Sequence, residues 1–163
     1  VTCLNPGGNW LPKRWPKEYF AVLADKLISE LKAKVIFTGS RNDTGLILEI
    51  AAQMSSKPII AAGRTNLKQL AGIFKRADLV ISGDSGPLHI AASVGANIIG
   101  LFGPTSQGVT GPIGRGKIKI IQDDCNCRIP CYKKSCALNL CMQKITPEDV
   151  LSEINDFLAV KRR

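Results

Sequence analysis

Aromatic residues are scarce in this 163-residue chain, at 6% of positions. Modules that bind nucleic acid by stacking interleave aromatic side chains with a basic stripe, and here the basic residues are scattered, so a nucleic-acid partner is not expected. Histidine occurs once, which excludes a His-rich metal site. No apolar run approaches the roughly 20 residues of a spanning helix. The greasiest stretches, around Ile59 and Ile98, are short and bounded by Gly or Pro. The G-x-G-x-x-G fingerprint and the P-loop spacing are both missing, which weakens a nicotinamide dehydrogenase reading. The chain starts at Val1 with neither an initiator Met nor a signal-peptide pattern, as a cloned fragment or trimmed product would.

What is present describes one globular domain, residues 1–163, with 45% apolar and 21% charged positions. Lys and Arg number 22 against 13 Asp and Glu, a net charge of +9 that favours anionic partners such as nucleotides or phosphorylated lipids.

Short β-branched runs alternate with helical patterns. Strands are predicted at Val1–Leu4, Lys34–Thr38, Pro58–Ala61, Leu79–Ile81, Asn97–Phe102 and Ile118–Ile121. Helices are predicted at Lys17–Leu31, Thr44–Met54, Leu67–Arg76 and Leu88–Val94. A last helix starts at Thr146-Pro-Glu-Asp, with a capping Thr, a first-turn Pro and acids near its positive end. Residues Gly103–Gly116, rich in Gly, Pro, Thr and Ser, read as a surface loop of functional length, and Lys161-Arg-Arg163 as a solvated helix end. The alternation predicts an α/β fold, a Rossmann-like parallel sheet with helices on both faces.

In such sheets ligands bind beyond the carboxyl ends of the strands. Two turns there stand out. In Asn5-Pro-Gly-Gly-Asn-Trp-Leu-Pro-Lys-Arg-Trp-Pro16, Gly7 and Gly8 let backbone amides approach a ligand, and Lys13 and Arg14 add positive charge before a helix, which suits phosphate. An ordinary turn with solvated Lys13 and Arg14 explains the same residues. In Ser82-Gly-Asp-Ser-Gly-Pro-Leu-His-Ile-Ala-Ala92, a strand end runs into a helix start whose macrodipole favours an anion. There His89 could donate to a phosphate oxygen, while Asp84 could orient that imidazole, cap the helix or accept from a ligand. A plain cap and a packed histidine are the alternatives.

Five of the six cysteines crowd between Cys125 and Cys141. The intervals between Cys127, Cys131, Cys136 and Cys141 are within reach of a zinc or iron–sulfur site, although paired C-x-x-C knuckles are lacking. Disulfides and plain buried thiols in a small subdomain remain open beside it.

A resemblance then becomes specific. The run Gly83-Asp-Ser-Gly-Pro-Leu-His-Ile-Ala-Ala-Ser-Val-Gly95, the upstream Asn5-Pro-Gly-Gly8 and Lys13-Arg-Trp-Pro16, the later Gly103-Pro-Thr-Ser106, and Cys131-Tyr-Lys-Lys-Ser-Cys136 followed by Cys141-Met resemble the carboxy-terminal half of the heptosyltransferases of lipopolysaccharide core synthesis, glycosyltransferase family 9. The resemblance covers nearly the whole chain. It implies the GT-B architecture, with this chain as the nucleotide-sugar donor domain and the amino-terminal acceptor domain, which carries the catalytic base, outside it. Gly7, Gly8, Asn9 and Lys13 would meet the diphosphate of ADP-heptose, with Lys13 stabilising charge on departing ADP. Asp84, Ser85, Gly86, Leu88 and His89 match the donor-site segment. Asp43 falls where the family places a ribose-binding Glu, with a shorter side chain, and Arg64 and Thr65 would border the adenine. No cofactor is required, and the absence of an Asp-x-Asp pair agrees with a transferase that works without a divalent cation. By the same resemblance the acceptor is lipid A-core, met through the other domain, at the cytoplasmic face of the inner membrane of a Gram-negative bacterium, where the positive charge would favour a peripheral anionic surface. A transferase with another nucleotide sugar and a non-catalytic module built on the cysteines are the rival expectations.

Overall fold

The computed structural model describes residues 1–133 and 135–159. Lys161-Arg-Arg163, expected to end the last helix, lies outside them. In chain order the elements are β1 (Thr2–Asn5), α1 (Lys17–Ser29), β2 (Val35–Phe37), α2 (Thr44–Ala52), β3 (Ile59–Ile60), α3 (Leu67–Arg76), β4 (Leu79–Gly83), α4 (Gly86–Ser93), β5 (Ile98–Phe102), α5 (Gln107–Thr110), β6 (Ile118–Gln122), α6 (Leu140–Gln143) and α7 (Pro147–Ala159). The six strands form one parallel sheet, as expected from the alternation, and their order is the doubly wound β3-β2-β1-β4-β5-β6.

Period-two alternation along the strands divides the core in two. Leu4, Ile81, Ile99 and Leu101 point to one face, where they pack with Phe20, Leu23 and Leu27 of α1, Ile47 and Ile50 of α2, and Val150 and Ile154 of α7. Cys3, Val80, Ile98 and Phe102 point to the other face, against Leu70 and Phe74 of α3 and Leu88, Ala91 and Ala92 of α4. Every residue of β1, β4 and β5 is buried, as central strands covered on both sides must be. The Cys3 thiol sits in this packing, its pKa pushed up to about 12 by burial, and is chemically inert.

Several boundaries differ from expectation. Helix α1 ends at Ser29, two residues short of Leu31, because Lys32 adopts a left-handed φ of 53° that no helix continues. Strand β4 runs on to Gly83, and α4 starts at Gly86 with Pro87 in its first turn, so only Asp84 and Ser85 separate the two. The Gly103–Gly116 loop contains the short helix α5 and is pinned by Gln122, whose Nε2 donates to Gly103 O (3.2 Å) and Thr105 O (2.8 Å). Thr146 caps α7 as expected: its hydroxyl accepts from Asp149 N at 3.2 Å, and the Asp149 carboxylate accepts in return from Thr146 N at 2.8 Å. Among the described residues no helix is long and apolar enough to cross a membrane.

The chain winds outward from β1 through β2 to β3, then returns to β4 beside β1 and winds the other way. The connections leaving β1 and β4 therefore diverge, and a crevice opens above these neighbouring strands.

Candidate functional site

A cavity of about 660 Å³ occupies that crevice. Four connections line it: Asn5, Gly7 to Trp10 and Lys13 from the end of β1 onward, Gly39, Ser40 and Asp43 after β2, Thr65 to Leu67 after β3 with Leu70 of α3, and Gly83 to Pro87 from the end of β4.

The connection after β1 begins at buried Asn5, whose Oδ1 accepts from the Thr38 hydroxyl at 3.1 Å. Gly7 comes next to Asp43, and a Cβ at Gly7 would overlap the Asp43 carboxylate. That carboxylate cannot easily retreat, because its Oδ2 accepts from Ser40 N (2.8 Å) and Ser40 Oγ (2.6 Å). Arg14 Nε donates to Gly8 O at 2.8 Å, and its guanidinium lies 4.0 Å from Asp43 Oδ1. Residues Leu11–Lys13 form a 3₁₀ turn with Pro12 inside it, and the turn presents Lys13 to the cavity.

Lys13 Nζ donates to Asp84 Oδ2 at 2.7 Å and lies 5.4 Å from the centroid of the Trp10 ring. The Asp84 side chain is only 4% exposed, and its Oδ2 also accepts from the Thr110 hydroxyl at 2.9 Å. Burial pushes the Asp84 carboxyl upward, but the Lys13, Thr105 and Thr110 donors and the Lys13 charge outweigh it and hold the group below its ordinary 3.8. The Thr105 hydroxyl favours the charged form by proximity and makes no hydrogen bond of regular geometry.

Helix starts around the cavity differ in how they are closed. Ser40 and Asp43 close the turn before α2, and Asn66 and Gln69 close α3 with reciprocal bonds of 2.9 Å. Ser85, at the N-cap of α4, makes no side-chain cap bond; its hydroxyl instead shares a 3.1 Å contact with Ser82. The α4 start therefore keeps its first amides free of a side-chain cap, beside the Lys13–Asp84 pair. An ammonium, a helix start without a side-chain cap and a glycine-rich turn around one crevice are groups able to receive a phosphorylated anion.

Of the residues expected in the site, Gly7, Gly8, Asn9, Lys13, Asp43, Thr65, Asp84, Ser85 and Gly86 all line the cavity. Three do not. Leu88 is fully buried in the second core, since α4 turns that side toward β4 and β5. His89 is 48% exposed with its Nε2 3.8 Å from Asp84 Oδ1, too far for a hydrogen bond. Arg64 lies in a neighbouring groove with Lys75 and Arg76. Asp84 neither caps α4 nor orients His89; it holds Lys13 and Thr110. Asp43 spends Oδ2 on Ser40, and its Oδ1 faces Gly7 and the Arg14 guanidinium. Trp10, Leu67, Leu70 and Thr110 were not expected, and for Thr110 a position inside a 14-residue loop carried no signal.

All six cysteines are unpaired, and among the described residues no three His, Cys, Asp or Glu side chains are placed to hold a metal ion. Cys125 and Cys141 are buried in the first core. Burial, with the nearby Cys125, Cys127 and Cys136 thiols, pushes Cys141 up to about 11, so it is a neutral packing group at pH 7.

The profile of glycosyltransferase family 9 (heptosyltransferase) matches residues 1–142. The chain is 32% identical over 157 residues to lipooligosaccharide heptosyltransferase 2 of Campylobacter jejuni, covering 93% of this chain and 49% of that protein. It is 31% identical over 164 residues to lipopolysaccharide heptosyltransferase 2 of Escherichia coli K12, covering 94% and 45%. The solved ADP-heptose LPS heptosyltransferase II of E. coli superposes with a TM-score of 0.85 at 28% identity, covering 99% of this chain and 47% of that one. The chain thus spans about half the length of the relatives it matches.

Proposed function

This chain belongs to glycosyltransferase family 9, and from that premise we propose that it is the donor-binding half of an enzyme that transfers heptose from ADP-heptose to the inner core of lipopolysaccharide. The observation that carries the proposal is the Lys13 ammonium, 2.7 Å from buried Asp84, beside the uncapped start of α4 at the switch point of the sheet. In this reading Gly7, Gly8 and Asn9 bring the β1 turn against the diphosphate. The α4 start at Ser85 and Gly86 meets the phosphate and sugar, and Thr65, with Leu67 and Leu70, borders the adenine. Asp43 offers Oδ1 to the ribose.

The work of this half is electrostatic. As the sugar–phosphate bond breaks, negative charge accumulates on departing ADP. Fixed donors and a positive side chain stabilise that charge more than they stabilise the intact donor, which is the condition for acceleration. Transfer requires no divalent cation, because Lys13 and the helix start supply the positive potential. The base that deprotonates the acceptor hydroxyl belongs to the other half of the enzyme, which also meets lipid A-core. The +9 charge keeps the protein near anionic lipid at the cytoplasmic face of the inner membrane.

Isothermal titration with ADP, on the chain as it stands, tests the reading. ADP is expected to bind, and Lys13→Ala to weaken it about tenfold, the worth of one charge-assisted hydrogen bond. Unchanged affinity in Lys13→Ala would remove Lys13 from the site. In a thermal-shift series ADP is expected to raise the midpoint more than UDP or GDP, and the reverse order would assign another nucleotide sugar.

A further inference from the structure

The cysteine-rich segment has no part in the proposed chemistry, yet it touches the loop that carries Lys13 at three points. Trp10 Nε1 donates to Lys133 O (3.1 Å), Asn139 Nδ2 donates to Arg14 O (3.3 Å), and Trp15 Nε1 donates to Ile145 O (2.7 Å). These anchors fall three residues before Lys13, one after it and two after it. Within the loop, the backbone bonds of the 3₁₀ turn are Lys13 N to Trp10 O and Arg14 N to Leu11 O, so the turn fixes its own shape but not its height above the sheet. The segment itself is moored to the scaffold. Cys131 N donates to Pro104 O at 2.7 Å, and Cys141 and Met142 pack so tightly on Gly103 that a Cβ there would overlap Met142.

From this arrangement we infer that residues 131–133 and 135–145 form a strap that positions Lys13, and that Trp10 is the positioning residue through which it acts; the inference rests on the diphosphate site proposed above. Trp10 lines the cavity, its indole N–H is fixed by the strap, and its ring lies 5.4 Å from the Lys13 ammonium. Asp84 holds the same ammonium at 2.7 Å. Asp84 offsets part of that charge, whereas the ring attracts the cation with no formal negative charge of its own, so it orders the four-carbon stem without competing further against an incoming phosphate. Without the ring, that ordering falls on the binding step.

A double-mutant cycle on ADP affinity tests the inference. Trp10→Ala is expected to weaken ADP about fivefold, as for loss of one partly desolvated cation–π contact. In a Lys13→Ala background the same substitution is expected to change affinity by less than about twofold, since its target is gone. Trp10→Phe keeps a ring and loses the bond to Lys133, so it falls between Trp10→Ala and wild type; it also keeps the test decisive should Trp10→Ala not fold. The chain has two tryptophans, and Trp15 is buried, so any change in emission on adding ADP is expected to vanish in Trp10→Phe. A fivefold loss that persists without Lys13, or full affinity in both Trp10 variants, overturns the positioning role while leaving the donor site standing. Failure of the wild-type chain to bind ADP overturns the donor site, and the strap's role with it.

Discussion

Two connections meet over the cavity, one after β1 and one after β4, and they are held in opposite ways. The turn after β4 is short and built from its own neighbourhood: a fully buried strand runs to Gly83, a helix starts at Gly86, and Ser82 and Ser85 contact each other across the corner. The longer connection after β1 takes its place from elsewhere. Asp43 abuts Gly7, Asp84 holds Lys13, and the carbonyls of Lys133 and Ile145 hold Trp10 and Trp15. A fixed helix start thus faces a cation whose position is set by distant residues, and only the second half of that pair can be retuned without disturbing the sheet.

Asp84 joins the two connections, so its removal has the largest expected effect. Asp84→Ala leaves the Lys13 ammonium without its carboxylate and the Thr110 hydroxyl with only the longer contact to Ser106 O (3.3 Å), and is expected to cost about 1.5–3 kcal/mol in urea unfolding, the range for hydrogen bonds to a charged group. Its pH signature has a defined sign. The folded carboxyl titrates below its ordinary 3.8, so its stabilisation is complete above that value and is lost as pH falls through the lower folded value. Wild type is expected to lose more stability than Asp84→Asn over that acid window, and parallel acid-unfolding curves would show that Asp84 is not the coupling group.

A smaller effect tests whether the β1 connection is set from outside. In Gly7→Ala the new methyl meets the Asp43 carboxylate, which must leave Ser40 to make room. The expected cost is about 1 kcal/mol, the worth of one cap interaction. In an Asp43→Ala background the same substitution is expected to be nearly neutral, and an equal cost in both backgrounds would locate the strain within the loop itself.

The same contrast explains how much was legible in the sequence. The parallel sheet covered on both faces, and the position of Gly7, Lys13, Asp84 and Ser85 in turns beyond strand ends, follow from local pattern, because period-two strands and helix-start signals act over a few residues. Leu88 and His89 could not be separated from their neighbours in this way. Which side of a helix faces a cavity depends on the helix's rotation against the sheet, and α4 turns Leu88 into the core and leaves His89 outside the cavity. Trp10 and Thr110 depend on partners 123 and 26 residues away in sequence, Lys133 and Asp84, a distance over which composition and spacing are silent. The cysteines are the opposite case. Their spacing suits a metal, but Cys125 and Cys141 pack into the core, and among the described residues no three such side chains are placed to hold an ion.

The gentlest perturbation is at Asn139, and it separates the two connections most cleanly. Asn139 has a left-handed φ of 39°, so Asn139→Ala would add backbone strain to the loss of its bond to Arg14 O. Asn139→Gly keeps that conformation at little cost and removes the side-chain anchor, worth about 0.5–1 kcal/mol, together with a long contact from the Cys141 thiol (3.8 Å). Global stability is therefore expected to change little, and the effect is read best by amide hydrogen exchange. The amides of Lys13 and Arg14, bonded within the 3₁₀ turn, are expected to exchange about three- to fivefold faster, by loss of the anchor that steadies the turn. The amide of Leu88, bonded to Ser85 O at 3.0 Å within the β4–α4 corner, is expected to keep its rate. Faster exchange at both places would mean that the strap supports the whole rim rather than the Lys13 loop, and the two connections would then be one mechanical unit.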